Sequence, residues 1–229
     1  MEDRFKKLSD NYGKLFNEVW EEQGLNGKEL EESVYIAVKD YFGNSKDKKI
    51  LDIGVGDGET IAPFVKEGYK NLVGVDLNPK MIKASKKRFD NKVKLISANA
   101  TSLNMFKRKE FDAIITALCI HNISKEERTL FWKELLRLSP EIFVAAEKIA
   151  DSDPIKHKKS YENEIKAIIK VYKEKHNLPE ISDEWIKHYE VDEKEKLTIE
   201  EIKEALSESY NLEIIKELGM CKTIVATKK

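Results

Sequence analysis

The chain has 229 residues, of which 41% are hydrophobic and 36% are charged, and its formal net charge is −1. No apolar run approaches the roughly 20 residues of a membrane-spanning helix, and a near-neutral balance disfavours a nucleic-acid partner, although a local basic face and RNA stay open. Two cysteines without metal-ligand spacing and an N-terminus without an apolar signal segment predict a reduced, cytoplasmic protein with no membrane partner.

Two helices are predicted ahead of the first strand. Apolar residues with helical spacing run through residues 3–41, and Gly24 and Gly27 interrupt them. Glycines at these positions indicate two helices rather than one. We therefore expect residues 1–45 to form an N-terminal helical lid.

From residue 48 onward, short apolar strands alternate with amphipathic helices. The sequence predicts strands at 49–53, 72–75, 93–96, 111–116 and 142–146, and helices at 60–67, 79–89 and 125–138. Ser124 and Glu127 have the spacing of a capping box at the start of the last of these helices. This alternation, with wholly apolar strands, predicts a parallel sheet that helices cover on both faces.

Beyond residue 150 the pattern loosens. Residues 151–207 are polar and are expected to form a helical cap, with Thr198 opening a helix that ends near Leu206. The apolar segments 212–218 and 221–227 predict a terminal hairpin. The expected fold class is α/β in one domain over residues 1–229: a doubly wound, mostly parallel, seven-stranded sheet with an antiparallel C-terminal hairpin strand and a helical cap.

A glycine-rich loop joins the first strand to the next helix, in the run ILDIGVGDGET at 50–60. Glycines at alternate positions let the backbone turn sharply and approach a ligand closely, or simply form a tight turn. The dinucleotide fingerprint would need a glycine where Glu59 stands, and a carboxylate there is a poor neighbour for a pyrophosphate. The spacing therefore favours a nucleotide-like cofactor without a phosphate over NAD.

Polar side chains end the second and third predicted strands. Asp76 follows the glycine loop by about the 20 residues at which an acidic side chain accepts the hydroxyls of a ribose; the alternative is a helix-capping Asp. Asn99 follows the third strand and is a candidate acceptor for an adenine amine. Both positions lie at strand carboxyl ends, where open α/β sheets bind their ligands.

Together these segments resemble the class I S-adenosylmethionine-dependent methyltransferases, in particular the small-molecule group of the methyltransferase type 11/12 kind, which carries a histidine in the loop after strand four. The resemblance rests on ILDIGVGDGET, VGVDLNPKMI, ISANATSL, FDAIITALCIHNIS and LLRLSP. It covers residues 1–150 well and the terminal hairpin loosely. It implies S-adenosyl-L-methionine as the cofactor, methyl transfer as the activity and a Rossmann-like fold.

The resemblance assigns a set of residues to the cofactor. Those on the glycine loop would lie along its methionine portion, Asp76 would take the ribose, and Tyr12 would help to close a lid over it or be an ordinary packing residue. One departure is Asn99, which keeps the acceptor of the family's usual Asp without its charge. The full set is Tyr12, Asp52, Gly54, Gly56, Asp76, Leu77, Asn99, Ala100 and Ala117.

His121 is the candidate catalytic residue, because it follows the fourth strand beside the expected methyl position. It is a candidate general base or substrate-orienting group, with a structural histidine as the alternative. Asn122, which replaces the family's usual second histidine, and Glu147 are candidates for substrate contact; Glu147 alternatively caps its strand. We predict no metal site, since no set of acidic and histidine residues shows ligand spacing. The remaining histidines are expected at the surface: His157, His176 and His188.

The predicted function is methyl transfer to a small-molecule acceptor. Among enzymes, the alternative is a tRNA wobble-uridine methyltransferase, because related proteins of this fold act there. From a different class, the alternative is a regulator that binds S-adenosylmethionine without turnover. The sequence names neither the acceptor nor the oligomeric state.

Overall fold

A seven-stranded sheet forms the centre of the computed structural model, which describes the backbone of residues 12–229 and the side chains of residues 15–229. The strands are β1 (Lys49–Ile53), β2 (Asn71–Asp76), β3 (Lys94–Ser97), β4 (Ala113–Ala117), β5 (Ile142–Lys148), β6 (Tyr210–Leu218) and β7 (Cys221–Lys228). They lie in the order β3-β2-β1-β4-β5-β7-β6. The first five are parallel, and β7 is antiparallel to β5 and β6. The predicted fold class is confirmed.

Helices connect the strands and cover both faces of the sheet. They are α1 (Tyr12–Glu22), α2 (Lys28–Phe42), α3 (Ala62–Lys66), α4 (Pro79–Phe89), α5 (Lys125–Leu138), α6 (Pro154–Ile168), α7 (Pro179–Lys194) and α8 (Ile199–Leu206). A 3₁₀ turn spans Ile120–Asn122, and a π-helical segment, Ile169–Lys175, continues α6. No helix among residues 12–229 combines the length and apolar character that crossing a lipid bilayer requires.

Successive residues of the central strands face opposite sides of the sheet, so each strand feeds two apolar clusters. In β5, Ile142 and Val144 pack with α2, α4 and residues of α6 and α7. Phe143 and Ala145 pack on the other side with α5 and α8. The buried strands are therefore mainly apolar, as burial on both faces favours, and the carboxylates of Asp52 and Glu147 lie near the carboxyl ends of β1 and β5.

The ends of the helices follow the sequence signals in most places. Asn78 caps α4 by accepting a hydrogen bond from the Lys80 amide at 2.9 Å, and Pro79 begins that helix as expected. The capping box predicted for α5 is wrong: the Ser124 hydroxyl bonds to the Glu127 carboxylate at 3.0 Å and caps no backbone amide. The Ser124 hydroxyl therefore pairs with a side chain in place of the backbone amide that it normally caps in this motif.

The polar segment after β5 divides between the two faces of the sheet. Residues 154–194, comprising α6, the π-helical segment and α7, pack over the face that carries α1 and α2, and we call them the helical cap. Tyr189 of the cap donates a hydrogen bond to Glu164 at 2.7 Å, and Gln23 at the end of α1 donates to the same carboxylate at 2.9 Å. In contrast, α8 packs with α5 on the opposite face.

A buried arginine joins the cap to the rest of the molecule. The Arg128 side chain, on α5, is fully buried. Its guanidinium donates to both carboxylate oxygens of Glu201 at 2.8 and 3.1 Å and to the carbonyl of Ile123 at 2.9 Å. It also donates to the carbonyl of Glu195, directly after α7, at 2.8 Å. The end of α7 is thereby fixed to the start of α5.

Candidate active site

The glycine loop turns tightly at the carboxyl end of β1. Gly54, Gly56 and Gly58 have φ angles of +75°, +54° and +93°, which residues with a Cβ rarely adopt. The amides of Gly54 and Val55 both donate to the carbonyl of Val75, at 2.8 and 2.9 Å. The loop is therefore held against the end of β2, and a Cβ built at Gly56 would have only the Gly54 carbonyl oxygen within 4 Å, at 3.9 Å, which leaves space there for a ligand.

Asp76 ties this loop to the start of α4. Its carboxylate accepts the Gly56 amide at 2.9 Å on one oxygen and the Asn78 amide at 2.8 Å on the other. Each carboxylate oxygen has two acceptor positions, so these bonds are compatible with the ribose role as well as with the turn-forming one. The ribose contact stays a prediction, on a carboxylate whose orientation the loop fixes.

Asp52 is a fully buried carboxylate at the centre of the site. Neither of its carboxylate oxygens has a hydrogen-bond partner among the described residues. Burial raises the pKa of Asp52 well above its usual value, and the nearby charge of Asp76 raises it further. A buried carboxylate of this kind needs a polar or cationic partner. The ammonium and sulfonium of S-adenosylmethionine would meet that need, so these residues fit the cofactor implied by the resemblance.

Replacing Asp52 with Asn should stabilise the ligand-free protein near neutral pH by an amount on the order of 1 kcal/mol. The folded pKa lies above the unfolded value of about 3.9, so the unfolded state releases its proton first and stability falls as pH rises between the two values. The gain in the free energy of unfolding from Asp52→Asn should therefore increase as the pH rises above about 4 and decrease as the pH falls back to about 4. Urea unfolding across that range measures it, and cofactor affinity should fall in the same variant. A variant less stable than wild type at every pH would contradict the expectation.

Gly58, like Gly54, is a position in the loop where a side chain would collide with its surroundings. A Cβ there would lie 2.1 Å from Cε2 of the Phe89 ring. Gly58→Ala should therefore lower the free energy of unfolding by about 2 kcal/mol more than an alanine placed at a positive φ without a steric collision. This difference is on the scale of an overpacked core. Gly24→Ala is the matched control, because Gly24 has φ +72° and a Cβ added there would have no atom within 4 Å. Equal denaturation midpoints for the two variants would show that Phe89 yields at no cost.

The adenine end of the site differs from the expectation for Asn99. Its side-chain oxygen accepts two hydrogen bonds from Thr101, from the amide and from the hydroxyl, both at 2.9 Å. The acceptor expected to bind the adenine amine is thus engaged in a local turn. Leu77 is half-buried and Ala100 is buried at this end of the sheet, and their contacts with adenine stay predictions. The side chain of Tyr12 lies outside the described residues.

Strained backbone follows β4 where the methyl group is expected. After Ala117, Leu118 has a φ of +51°, and the Asn122 side-chain amide donates to its carbonyl at 2.8 Å. The other side-chain atom of Asn122, its carbonyl oxygen, is buried without a partner in the described part of the chain. Strain held in this way is typical of functional loops, and the Asn122 oxygen is a candidate acceptor for a substrate donor. The Cys119 side chain fills the space beside Gly54.

His121 and Glu147 form a buried pair at this loop. Nδ1 of His121 lies 2.8 Å from Glu147, whose carboxylate also accepts the amides of Cys119 and Ile120 at 2.8 and 2.9 Å. A carboxylate only accepts hydrogen bonds, so Nδ1 is the donor in the pair, and in the neutral ring the lone pair lies on Nε2. Glu147 has no exposed surface, so these contacts favour a positioning role over the substrate contact suggested for it.

The cap brings further polar residues to His121 that the sequence analysis missed. His157 and His188 are buried, at 8% and 7% exposure, so the prediction that they lie at the surface is wrong; only His176 is exposed.

His188 lies 3.5 Å from Asp192, which also pairs with Lys148 at 2.8 Å. Burial raises the pKa of Asp192, but Lys148, His121 and His188 together bring it below its usual value. The i, i+4 spacing of His188 and Asp192 in the run HYEVD was the sequence signal that could have placed these two side chains together.

A small cavity of about 20 Å³, room for about one water molecule, lies between His121 and the cap. Its walls combine aromatic rings with side chains of both charges, so it offers neither a wholly apolar nor a wholly basic surface. The lining includes His121, Lys148, Tyr161, Tyr189, Asp192 and Met220. This is the space beside the expected methyl position.

Comparison with known proteins agrees with this fold. Residues 50–140 match a family model described as a methyltransferase domain. Over 87 residues the chain is 30% identical to a demethylmenaquinone methyltransferase of Tropheryma whipplei, covering 36% of this chain and 34% of that protein. The matched segment thus spans only about a third of the length of that curated relative.

Solved structures share the fold over most of the chain. The PH0226 protein of Pyrococcus horikoshii OT3 superposes with a TM-score of 0.59 at 18% identity, covering 86% of this chain and 89% of that one. The 1,6-didemethyltoxoflavin-N1-methyltransferase of Burkholderia thailandensis gives a TM-score of 0.56 at 14% identity, over 89% and 80% of the two chains. At these identities the likeness establishes the fold.

Residues 50–140 match the methyltransferase-domain family, and the sheet order and the glycine loop agree with the class I S-adenosylmethionine-dependent fold. The recognition made from the sequence is confirmed at that level. S-adenosyl-L-methionine is accordingly the cofactor of the site.

Proposed function

We propose that this chain transfers a methyl group from S-adenosyl-L-methionine to a small-molecule acceptor held between His121 and the helical cap. The observation that carries the proposal is the buried His121–Glu147 pair. Its 2.8 Å contact fixes the ring and leaves Nε2 for the acceptor. A cytoplasmic location is part of the proposal, in keeping with two free cysteine thiols.

The protein's part in the reaction is to align and to activate. When bound, the cofactor supplies an electrophilic methyl group whose sulfur departs as a neutral thioether. Asp52 would face its positive charge, Asp76 would hold the ribose, and Asn122 would offer a buried oxygen to the acceptor. Positioning of this kind supplies several kcal/mol of rate acceleration. Where the attacking atom carries a proton, His121 is the residue placed to activate it.

The character of the cavity supports a small acceptor over RNA. Its lining carries Lys148 and Lys196 but also Asp192 and Glu193, whereas a groove for a phosphate backbone would be basic. The Tropheryma and Burkholderia relatives are also named for acceptors that are small molecules.

Transfer of a labelled methyl group tests the proposal. The full chain is incubated with labelled S-adenosylmethionine and a cell extract, which is then separated into small-molecule, RNA and protein fractions. Label is expected in the small-molecule fraction, at a rate that falls by about 100-fold in His121→Ala and holds in His176→Ala, an exposed control.

Three other outcomes would overturn the proposal. Label in the RNA fraction would establish the tRNA alternative, and label in protein would establish a protein substrate. Saturable binding of S-adenosylhomocysteine without transfer to any fraction would establish the non-catalytic regulator.

A further inference from the structure

The cap places two ligand-type side chains against His121. One ring nitrogen of His121, one of His188 and a carboxylate oxygen of Asp192 lie within 4.8 Å of one another. All three residues are buried, at 5%, 7% and 5% exposure. Two imidazoles and one carboxylate form a donor set that divalent transition cations prefer, and a three-residue set leaves coordination positions open.

Glu147 supports the first of these three residues in the way that metal sites require. Histidine ligands usually donate their second ring N–H to a carboxylate, which fixes the ring and makes the other nitrogen a better ligand. Nδ1 of His121 donates to Glu147 at 2.8 Å, so Nε2 is the nitrogen left for a ligand. Glu147 is itself held by backbone amides, so the ring has little freedom to turn away.

The other two residues come from one face of one helix. His188 and Asp192 are four residues apart on α7, which places their side chains one above the other. Nε2 of His188 lies 3.5 Å from a carboxylate oxygen of Asp192. A cation bound here would thus join the helical cap to the loop after β4, directly at the cavity.

Lys148 is the group that opposes a cation at this position. Its ammonium donates to Asp192 at 2.8 Å and lies 3.4 Å from the centre of the Tyr189 ring. A second cation beside Asp192 has to compete with that ammonium for the carboxylate. Removing the charge of Lys148 should therefore strengthen cation binding. Removing one of the three ligand residues should instead weaken it, so the two kinds of variant change the affinity in opposite directions.

We propose that His121, His188 and Asp192 bind a divalent transition cation such as Zn²⁺ or Co²⁺, in place of the absence of a metal expected from the sequence. The role of the cation rests on the proposed function: it holds an oxygen or nitrogen of the acceptor at an open position. There it lowers the pKa of a bound hydroxyl, whose proton passes to water. His121 then activates the acceptor through the cation.

The test is a metal titration of the full, untagged chain after treatment with a chelator. Zn²⁺ is followed by calorimetry, and Co²⁺ by its visible absorption. We expect one equivalent to bind, with at least 10-fold weaker binding in His188→Ala and Asp192→Asn and several-fold tighter binding in Lys148→Met. His157→Gln is the matched control, because His157 is a second buried cap histidine that lines the same cavity outside the triad. Retained S-adenosylhomocysteine binding shows that each variant is folded.

The outcomes separate this inference from the function on which it rests. Absence of saturable binding, or equal binding by wild type and the triad variants, overturns the metal site. If labelled methyl transfer then persists in the presence of EDTA, the function stands, and His121 acts on the acceptor by itself. Metal binding with the expected pattern but without methyl transfer sustains the site and removes the function.

Discussion

Replacing Glu147 with Gln is expected to lower methyl transfer by at least about 100-fold. The carboxylate accepts hydrogen bonds from two backbone amides and from Nδ1 of His121, and an amide group would turn a donor toward at least one of these donors. The imidazole relieves the conflict by moving its proton to Nε2. That change removes the lone pair which faces the acceptor. Turnover of labelled S-adenosylmethionine, per folded molecule, is the measurement.

Stability has to be followed in the same variant. A lost bond to a buried donor should lower the free energy of unfolding by about 2 kcal/mol. Glu134→Gln is the matched control, because Glu134 also accepts a backbone amide, that of Leu103 at 2.8 Å, and lies away from the cavity. Comparable stability loss with normal turnover is expected there. Normal turnover in Glu147→Gln would mean that the tautomer of His121 is irrelevant to the reaction.

Replacing Asp76 with Ala should weaken S-adenosylhomocysteine binding by about 10- to 150-fold, the equivalent of 1.5–3 kcal/mol for bonds to a charged group. The variant loses the expected ribose contact and also the bond that holds the Gly56 amide at 2.9 Å. Asp76→Asn keeps one acceptor oxygen, so its affinity for S-adenosylhomocysteine should lie between those of the wild type and Asp76→Ala. Calorimetry on folded protein measures all three affinities.

Glu59 provides the control for that series. It lies in the same loop, but its carboxylate pairs with Arg88 at 2.6 Å and is half exposed. Glu59→Gln should therefore bind S-adenosylhomocysteine with nearly normal affinity. Unchanged affinity in folded Asp76→Ala would remove the ribose assignment, and tighter binding of NAD than of S-adenosylmethionine by wild type would contradict the cofactor.

Features set by local sequence were predictable, and those set by tertiary packing were not. Mainly apolar runs marked the parallel strands, because burial on both faces disfavours polar residues, and glycines at 54, 56 and 58 marked a turn that only glycine adopts easily. The partner of Asn99 and the failed capping box at Ser124 depended on which nearby group competed for one oxygen. Local spacing does not decide such competitions.

The cap shows the limit most clearly. Its helices carry so many Lys and Glu residues that they resemble solvent-exposed segments, yet one face buries Trp185, Tyr189 and Asp192. The same face brings His188 to within reach of a histidine 67 positions earlier in the chain. The family match ends at residue 140, so the residues that would select the acceptor lie mostly outside it.

The buried Arg128 guanidinium determines which part of the cap can move to admit an acceptor to the cavity. It grips the carbonyl after α7 and the carbonyl of Ile123, close to His121, with one rigid planar group. The end of α7 and the His121 loop must therefore move together, and an acceptor has to enter by separation of the cap at its other end. The last turn of α7 would then be the hinge about which the cap opens. In hydrogen exchange, the amides of α6 and the π-helical segment should therefore exchange well before those of the last turn of α7.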